Sequence, residues 1–316
     1  MNEGRCGMKI VVAGPGAIGS LFASYLTRSK EEVWLLDKDK SRAEKLNQKG
    51  ISIEGVSGSW HAKVKVSVDP VEIGKADLLI VCVKSYDTRE LINYAQAVVG
   101  ENCSVLTLQN GIGNVEVISE ALGKQNVFAG ITSQGANLAE PGKLRHAGLG
   151  ETVIGSLDGK LTSEARLIRQ LFNDCRIPTR LSRDIKGALW SKLIINVGIN
   201  ALTAITHLKN GQLLEFEGTR SVMRQAVAEA TKIAKRKRIK LQFDDALAKV
   251  EAVAQATANN ISSMLSDVLK KKRTEIDFIN GVIVRQGQSL GMPVVVNSIL
   301  LDLVKTLESS YLVTIS

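Results

Sequence analysis

Three glycines, Gly14, Gly16 and Gly19, stand between an apolar run, Lys9–Ala13, and an amphipathic stretch, Ser20–Arg28. Their GxGxxG spacing constrains the fold more than any other feature of the chain. A strand that turns sharply into a helix needs one residue without Cβ at the turn. It needs a second where another group approaches the backbone, and a third where helix and strand pack. The helix start then offers free N–H groups and a partial positive charge to an anion. The pattern alone recurs by chance, but here the context agrees: a second strand, Glu32–Leu36, follows, and Asp37 lies 18 residues past Gly19. A P-loop is excluded, because Ser20-Leu21 follow Gly19 where Lys-Ser/Thr would be needed. Gly14, Pro15, Gly16, Ala17, Ile18 and Gly19 are therefore read as a dinucleotide-binding turn.

The first half of the chain continues this rhythm. Leu78–Val83, Ser104–Leu108 and Val127–Thr132 are flat apolar runs suited to a parallel sheet covered on both faces. Ile51–Ile53 and Val64–Val68 alternate and read as short, half-exposed strands; Lys143–His146 and Thr152–Ile154 read as late strands. After residue 183 strand signals nearly vanish, and helical periodicity fills 186–207, 219–238, 244–257, 274–290 and 296–309. The expected fold is an α/β Rossmann-type N-terminal domain with a parallel sheet, residues 8–183, followed by an all-α C-terminal domain, residues 184–316. Residues 1–7 read as a disordered extension, with Met8 at the start of the first strand.

Several function classes recede on composition. No apolar run long enough for a bilayer lacks polar interruption, and the N-terminus has no signal region, so a cytoplasmic protein is expected. Cys6, Cys82, Cys103 and Cys175 show no CxxC spacing, and the three histidines are scattered, so neither a metal site nor a disulfide framework is expected. The net charge of +9 owes much to Lys235–Arg238 and Lys270–Arg273, which carry no interleaved aromatics and read as solvated helix faces rather than a nucleic-acid platform.

Polar residues at strand ends mark candidate ligand contacts. Asp37 could accept the ribose hydroxyls of NAD, whereas Lys38, with Lys40 and Arg42 nearby, could meet the 2′-phosphate of NADP; the local signal is mixed. Lys84 and Asn110 fall at the carboxyl ends of two further strands, although Asn110 before Gly111 is equally a turn former. In the helical half, Lys192, Asn196 and Asn200 lie four residues apart in an otherwise apolar run. That spacing stacks them on one helix face. It leaves two readings equally open, hydrogen bonding between helices and a polar wall for a ligand.

These residues carry a resemblance. The stretches AGPGAIGS (13–20), VCVKSYDT (81–88), LQNGIGN (108–114), RHAGLGETVIG (145–155), LWSKLIINVGINALTA (189–204) and SSMLSDVLKKKRTEIDFING (262–281) resemble, in order, those of the ketopantoate reductase family. The resemblance implies a Rossmann domain, a helical domain and an active site in a cleft. It implies reduction of 2-dehydropantoate to pantoate in pantothenate and coenzyme A biosynthesis. Lys192 matches the catalytic lysine, Asn196 and Asn200 substrate-binding asparagines, and Ser263 a serine that holds the substrate. Glu275 matches an acidic residue at the nicotinamide end, Asn110 one touching cofactor and substrate, Lys84 a lysine near the cofactor, and Ala136 a backbone contact to it. NADPH is the family's usual donor. Lys38 stands where many members carry Arg, and Asp37 beside it keeps NADH open. A homodimer is a further family-level expectation. Two rival functions remain: a reductase of another branched 2-oxo acid, and a non-catalytic dinucleotide sensor.

Overall fold

The computed structural model describes residues 7–123 and 126–312, so the expected extension lies outside the described residues apart from Gly7. The chain divides into two compact units: residues 1–109 with 113–185, and residues 110–112 with 186–316.

The first unit contains strands β1 (Lys9–Ala13), β2 (Glu32–Leu36), β3 (Ile51–Gly55), β4 (Trp60–Ala62), β5 (Lys65–Ser67), β6 (Ala76–Val81), β7 (Val99–Thr107), β8 (Val127–Thr132), β9 (Gly135–Glu140), β10 (Lys143–Gly148), β11 (Thr152–Gly155) and β12 (Thr179–Leu181). Its helices are α1 (Ala17–Leu26), α2 (Lys40–Lys49), α3 (Pro70–Ile73), α4 (Thr88–Tyr94), α5 (Asn114–Leu122) and α6 (Ser163–Asp174). Eight strands form one sheet in the order β12-β11-β8-β7-β6-β1-β2-β5. Its pairings are parallel except for β11 against β8. The central strands are buried on both faces, as their unbroken apolar runs require. Phe22 of α1 and Phe172 of α6 meet edge to face at 5.4 Å in this core.

The parallel sheet is accompanied by a second one. β3, β4, β9 and β10 make a separate four-stranded sheet, ordered β4-β3-β10-β9. This sheet lies against α1, where Tyr25 packs on Trp60 and on buried His146. Short strands with one exposed face suit this half-covered layer.

The second unit holds α7 (Ile185–Thr206), α8 (Glu217–Arg236), α9 (Ala246–Ala256), α10 (Ser263–Leu269), α11 (Asn280–Leu290) and α12 (Val295–Ser310). By length and composition α7 could cross a membrane, but 72% of its apolar window is buried within the protein, as in a core helix. Gly198 explains how closely it packs: a Cβ there would lie 2.6 Å from Val250 and 2.9 Å from Val227. The expected helix over 274–290 is broken. Thr274 donates its backbone N–H to Glu308 at 2.7 Å and accepts from the N–H of Ile276 at 3.2 Å, and only a 3-10 turn, Ile276–Phe278, precedes α11. Tertiary hydrogen bonds here override a continuous helical pattern. Both basic runs are exposed.

Candidate active site

The glycine turn behaves as its spacing requires. Gly14 adopts φ +97°, and a Cβ there would lie 2.7 Å from Val83. At Gly19 a Cβ would lie 2.0 Å from the carbonyl oxygen of Gly14, so this position fixes how α1 seats on β1. Gly16 differs, since a Cβ there would meet nothing within 4 Å. That open face lies at the N-terminus of α1, which has no side-chain cap and no acidic residue in its first turn. Pro15, Ala17 and Ile18 complete a backbone surface that fits the pyrophosphate of a dinucleotide. Ser20 reaches back, its hydroxyl donating to the Pro15 carbonyl at 3.2 Å.

Past β2, Asp37 is buried and pairs with Arg42, which donates from Nε at 2.6 Å and also from Nη2. The pair holds the Arg42 guanidinium above its ordinary pKa. Lys38 is exposed and faces Asp87 at 3.5 Å and Glu90 at 3.8 Å.

A buried polar network joins the loops at the carboxyl ends of β6 and β7. Gln109 donates through Nε2 to the Val83 carbonyl at 2.9 Å and to the Thr88 hydroxyl at 2.8 Å, and accepts from Thr107 at 2.9 Å. Thr88 and Asn114 are 2.9 Å apart, and Asn114 Nδ2 donates to Ser85 at 3.1 Å. Lys84 is half-buried between Val83 and Ser85 and so lies on a braced loop. Ala136 opens β9 opposite His146. His146 Nε2 meets Gln134 Oε1 at 2.8 Å, and burial lowers the pKa of this core histidine.

In the second unit, Lys192, Asn196 and Asn200 do share one face of α7. The opposite face, through Ile194, Val197, Gly198 and Ala201, is buried in the helical core. Packing on that side therefore directs the polar stripe away from it. Sequence reading missed the stripe's next turn, Thr203. Its hydroxyl meets Ser262 at 2.7 Å and donates to the Asn200 carbonyl at 2.9 Å. Ser262, not Ser263, caps α10, accepting from the N–H of Leu265 at 3.0 Å. Ser263 is left exposed in the first turn beside it. Asn210, also unanticipated, donates to Thr257 at 2.9 Å, while its buried Oδ1 has no partner among the described residues.

At the other end of the stripe, Lys192 is half-buried. Burial lowers its pKa to about 8, against an opposing pull from the Glu275 charge. Glu275 is itself buried. It accepts from Asn110 Nδ2 at 3.4 Å. Gly111 makes this approach feasible: at φ +81° it lies so near Phe278 that a Cβ would come within 2.4 Å of that carbonyl oxygen. Lysine, carboxylate, three amides and a serine thus line one unit, an arrangement able to hold a polar acid and deliver a proton.

A family model described as "Ketopantoate reductase PanE/ApbA" matches residues 10–159, and its C-terminal counterpart matches residues 184–308. The 2-dehydropantoate 2-reductase of Pyrococcus horikoshii is 36% identical over 303 residues, spanning 96% of this chain and 98% of that protein. That of Halobacterium salinarum is 34% identical over 302 residues, spanning 94% and 98%. Among solved structures, a PanE/ApbA family ketopantoate reductase from Ralstonia eutropha superposes with TM-score 0.89 at 35% identity, covering 96% of this chain and 99% of that one. A D-mandelate dehydrogenase solved with NADH and anilino(oxo)acetate also reaches 0.89, at 26% identity, with the same coverage. The chain belongs to the ketopantoate reductase family.

Proposed function

We propose that this protein reduces 2-dehydropantoate to pantoate, in pantothenate and coenzyme A biosynthesis, with Lys192 as general acid. The observation that carries the reading is the α7 stripe, with a half-buried lysine of lowered pKa under the influence of a buried carboxylate. A reduced nicotinamide, when bound, would supply the hydride. As the C2 ketone oxygen gains negative charge, the Lys192 ammonium stabilises it and then transfers its proton. Asn196 and Asn200 hold ketone, hydroxyl or carboxylate oxygens without competing for that proton. Glu275 keeps Lys192 charged and placed, and Asn110 holds the Glu275 carboxylate. Ser263 clamps the far end of the substrate, supported by the Ser262–Thr203 contact. Fixing these groups before reaction supplies much of the rate enhancement.

The Gly14–Gly19 turn holds the pyrophosphate, with Lys84 and the Ala136 backbone as further cofactor contacts. The family is NAD(P)-dependent, and NADPH is the donor proposed here. Residues 8–183 form the dinucleotide domain and 184–316 the catalytic domain. Among the described residues Cys82, Cys103 and Cys175 are free thiols, in keeping with the cytoplasmic setting proposed here. A homodimer through the helical domain completes the reading.

The likeness to a D-mandelate dehydrogenase favours a second reading, another branched 2-oxo acid on the same scaffold. Turnover of 2-dehydropantoate, set against simpler 2-oxo acids and run with NADPH and NADH in parallel, tests both. A higher kcat/KM for a simpler acid would overturn the first reading, and absence of turnover with every acid would overturn both.

A further inference from the structure

We propose that Arg42 sets which dinucleotide this protein accepts, by occupying Asp37. The proposal rests on the reading of Gly14–Gly19 as a dinucleotide site. Asp37 stands just past β2, where a carboxylate would take the ribose hydroxyls of NAD. Yet its side chain is only 1% exposed. Oδ1 accepts the backbone N–H groups of Lys38 at 2.7 Å and Asp39 at 3.1 Å, as well as Arg42 Nη2; Oδ2 accepts Arg42 Nε at 2.6 Å. A carboxylate offers about four acceptor positions, and the chain itself supplies four donors here. Three of them fall on Oδ1 and one on Oδ2, and the remaining edge of Oδ2 is buried with the rest of the side chain, so the carboxylate presents no open face to a ribose hydroxyl.

The neighbouring residues strengthen this. Asp39, two residues on, caps α2 by accepting the backbone N–H of Arg42 at 3.0 Å. That bond fixes the backbone from which the Arg42 side chain returns to Asp37. The two-pronged contact is one that a guanidinium makes and an ammonium does not. With the Asp37 charge cancelled, the repulsion that would reject a 2′-phosphate is cancelled too. Lys38, with a side chain 63% exposed, remains as a cation beside it, and its carboxylate contacts at 3.5 and 3.8 Å are surface pairs that a phosphate can displace. The arrangement therefore accepts NADPH. Loss of Arg42 would release an unbalanced carboxylate that favours NADH.

The test uses ligands that carry only the adenosine end. The full-length protein, its Arg42→Met variant and the Arg42→Met/Asp37→Asn double variant are titrated calorimetrically with 2′,5′-ADP and with 5′-AMP. Arg42→Lys, which keeps the charge but not the fork, serves as the second variant if Arg42→Met does not fold. The parent should prefer 2′,5′-ADP. Arg42→Met should lower that preference by about tenfold or more, the scale of one charge-assisted contact. Arg42→Lys should lower it in the same direction, and the double variant should recover part of the loss. A parent preference for 5′-AMP, or a preference unmoved by both single variants, would overturn the proposal. Failure of the parent to bind either ligand would instead overturn the dinucleotide reading beneath it.

Discussion

The glycine turn after β1 and the polar stripe on α7 are both candidate ligand surfaces, but they are made differently. The turn is backbone: its chemistry lies in N–H groups at the start of α1 and in missing side chains at Gly14, Gly16 and Gly19. The stripe is side chain: Lys192, Asn196 and Asn200 offer amide and ammonium groups, held by a core packed on the other face of α7. A backbone site is defined by what cannot be there, so its spacing becomes informative once a strand precedes it and a helix follows. A side-chain site is defined by what is present, and the same residues can serve helix packing. Changing a residue in the turn should alter binding or folding, whereas changing one in the stripe should alter chemistry.

The widest separation is expected at Lys192. Lys192→Ala should lower kcat by about 10²- to 10⁴-fold, the usual worth of a positioned general acid, while NADPH affinity measured by titration stays close to the parent. Steady-state kinetics beside that titration checks it, and a loss of only a few-fold would assign the proton elsewhere. Glu275→Gln should cost less, about 10- to 100-fold, and should move the pH profile. Lys192 must be protonated to act, so reduction should fall as pH rises through about 8. The Glu275 charge raises the Lys192 pKa, so its removal should shift that fall to lower pH. A shift upward, or none, would show that the carboxylate does not govern the lysine.

This contrast also explains what could be read in advance. The turn was legible because steric exclusion leaves a fixed pattern in a short segment. The α7 stripe was visible as a spacing, but its meaning came from the family resemblance. The partners were not legible. Asn110 meets Glu275 across 165 residues of sequence, and no local pattern encodes that. Ser262 and Ser263 are chemically identical neighbours, and only the backbone geometry shows which one caps α10. The burial of Glu275 followed from a break in an apparently continuous helix, imposed by Glu308 on Thr274. Arg42 reads in the sequence as one more cation beside Lys38, and only the fold shows it turned back on Asp37.

A paired substitution in the turn sharpens the comparison further. Gly16→Ala should leave thermal stability unchanged, because the added methyl meets nothing within 4 Å, yet should weaken dinucleotide binding about tenfold by blocking the pyrophosphate. Gly19→Ala should instead destabilise the fold by about 2–4 kcal/mol, because its methyl would strike the Gly14 carbonyl oxygen at 2.0 Å. Thermal melts and cofactor titrations of the two variants separate these outcomes, and equal behaviour would refute the division of labour among the glycines. On the stripe, Thr203→Val removes the hydroxyl bonded to Ser262 at 2.7 Å. It should raise KM for the 2-oxo acid about three- to tenfold and cost about 1 kcal/mol of stability. An unchanged KM would detach Ser262 and Ser263 from the substrate end of the stripe.

The smallest effect is also the one that runs against intuition. A lysine whose folded pKa is lowered from 10.5 to about 8 destabilises the fold whenever it is charged. Below pH 8 both folded and unfolded chains carry that charge, so the whole penalty is present. Between pH 8 and 10.5 the folded chain sheds the proton while the unfolded chain keeps it, and the penalty fades as pH rises. Lys192→Met keeps the apolar stem and removes the charge. It should raise Tm at pH 7 by about 2–4 °C, and the gain should shrink as pH is raised towards 10.5, although the variant is catalytically crippled. A backbone site such as the Gly16 turn has no such charge to relieve, and Gly16→Ala should show no pH-dependent gain over the same range. If Lys192→Met lowers Tm at pH 7, the lysine is stabilised by its partners rather than held at a cost, and the stripe is bundle structure first and a site second.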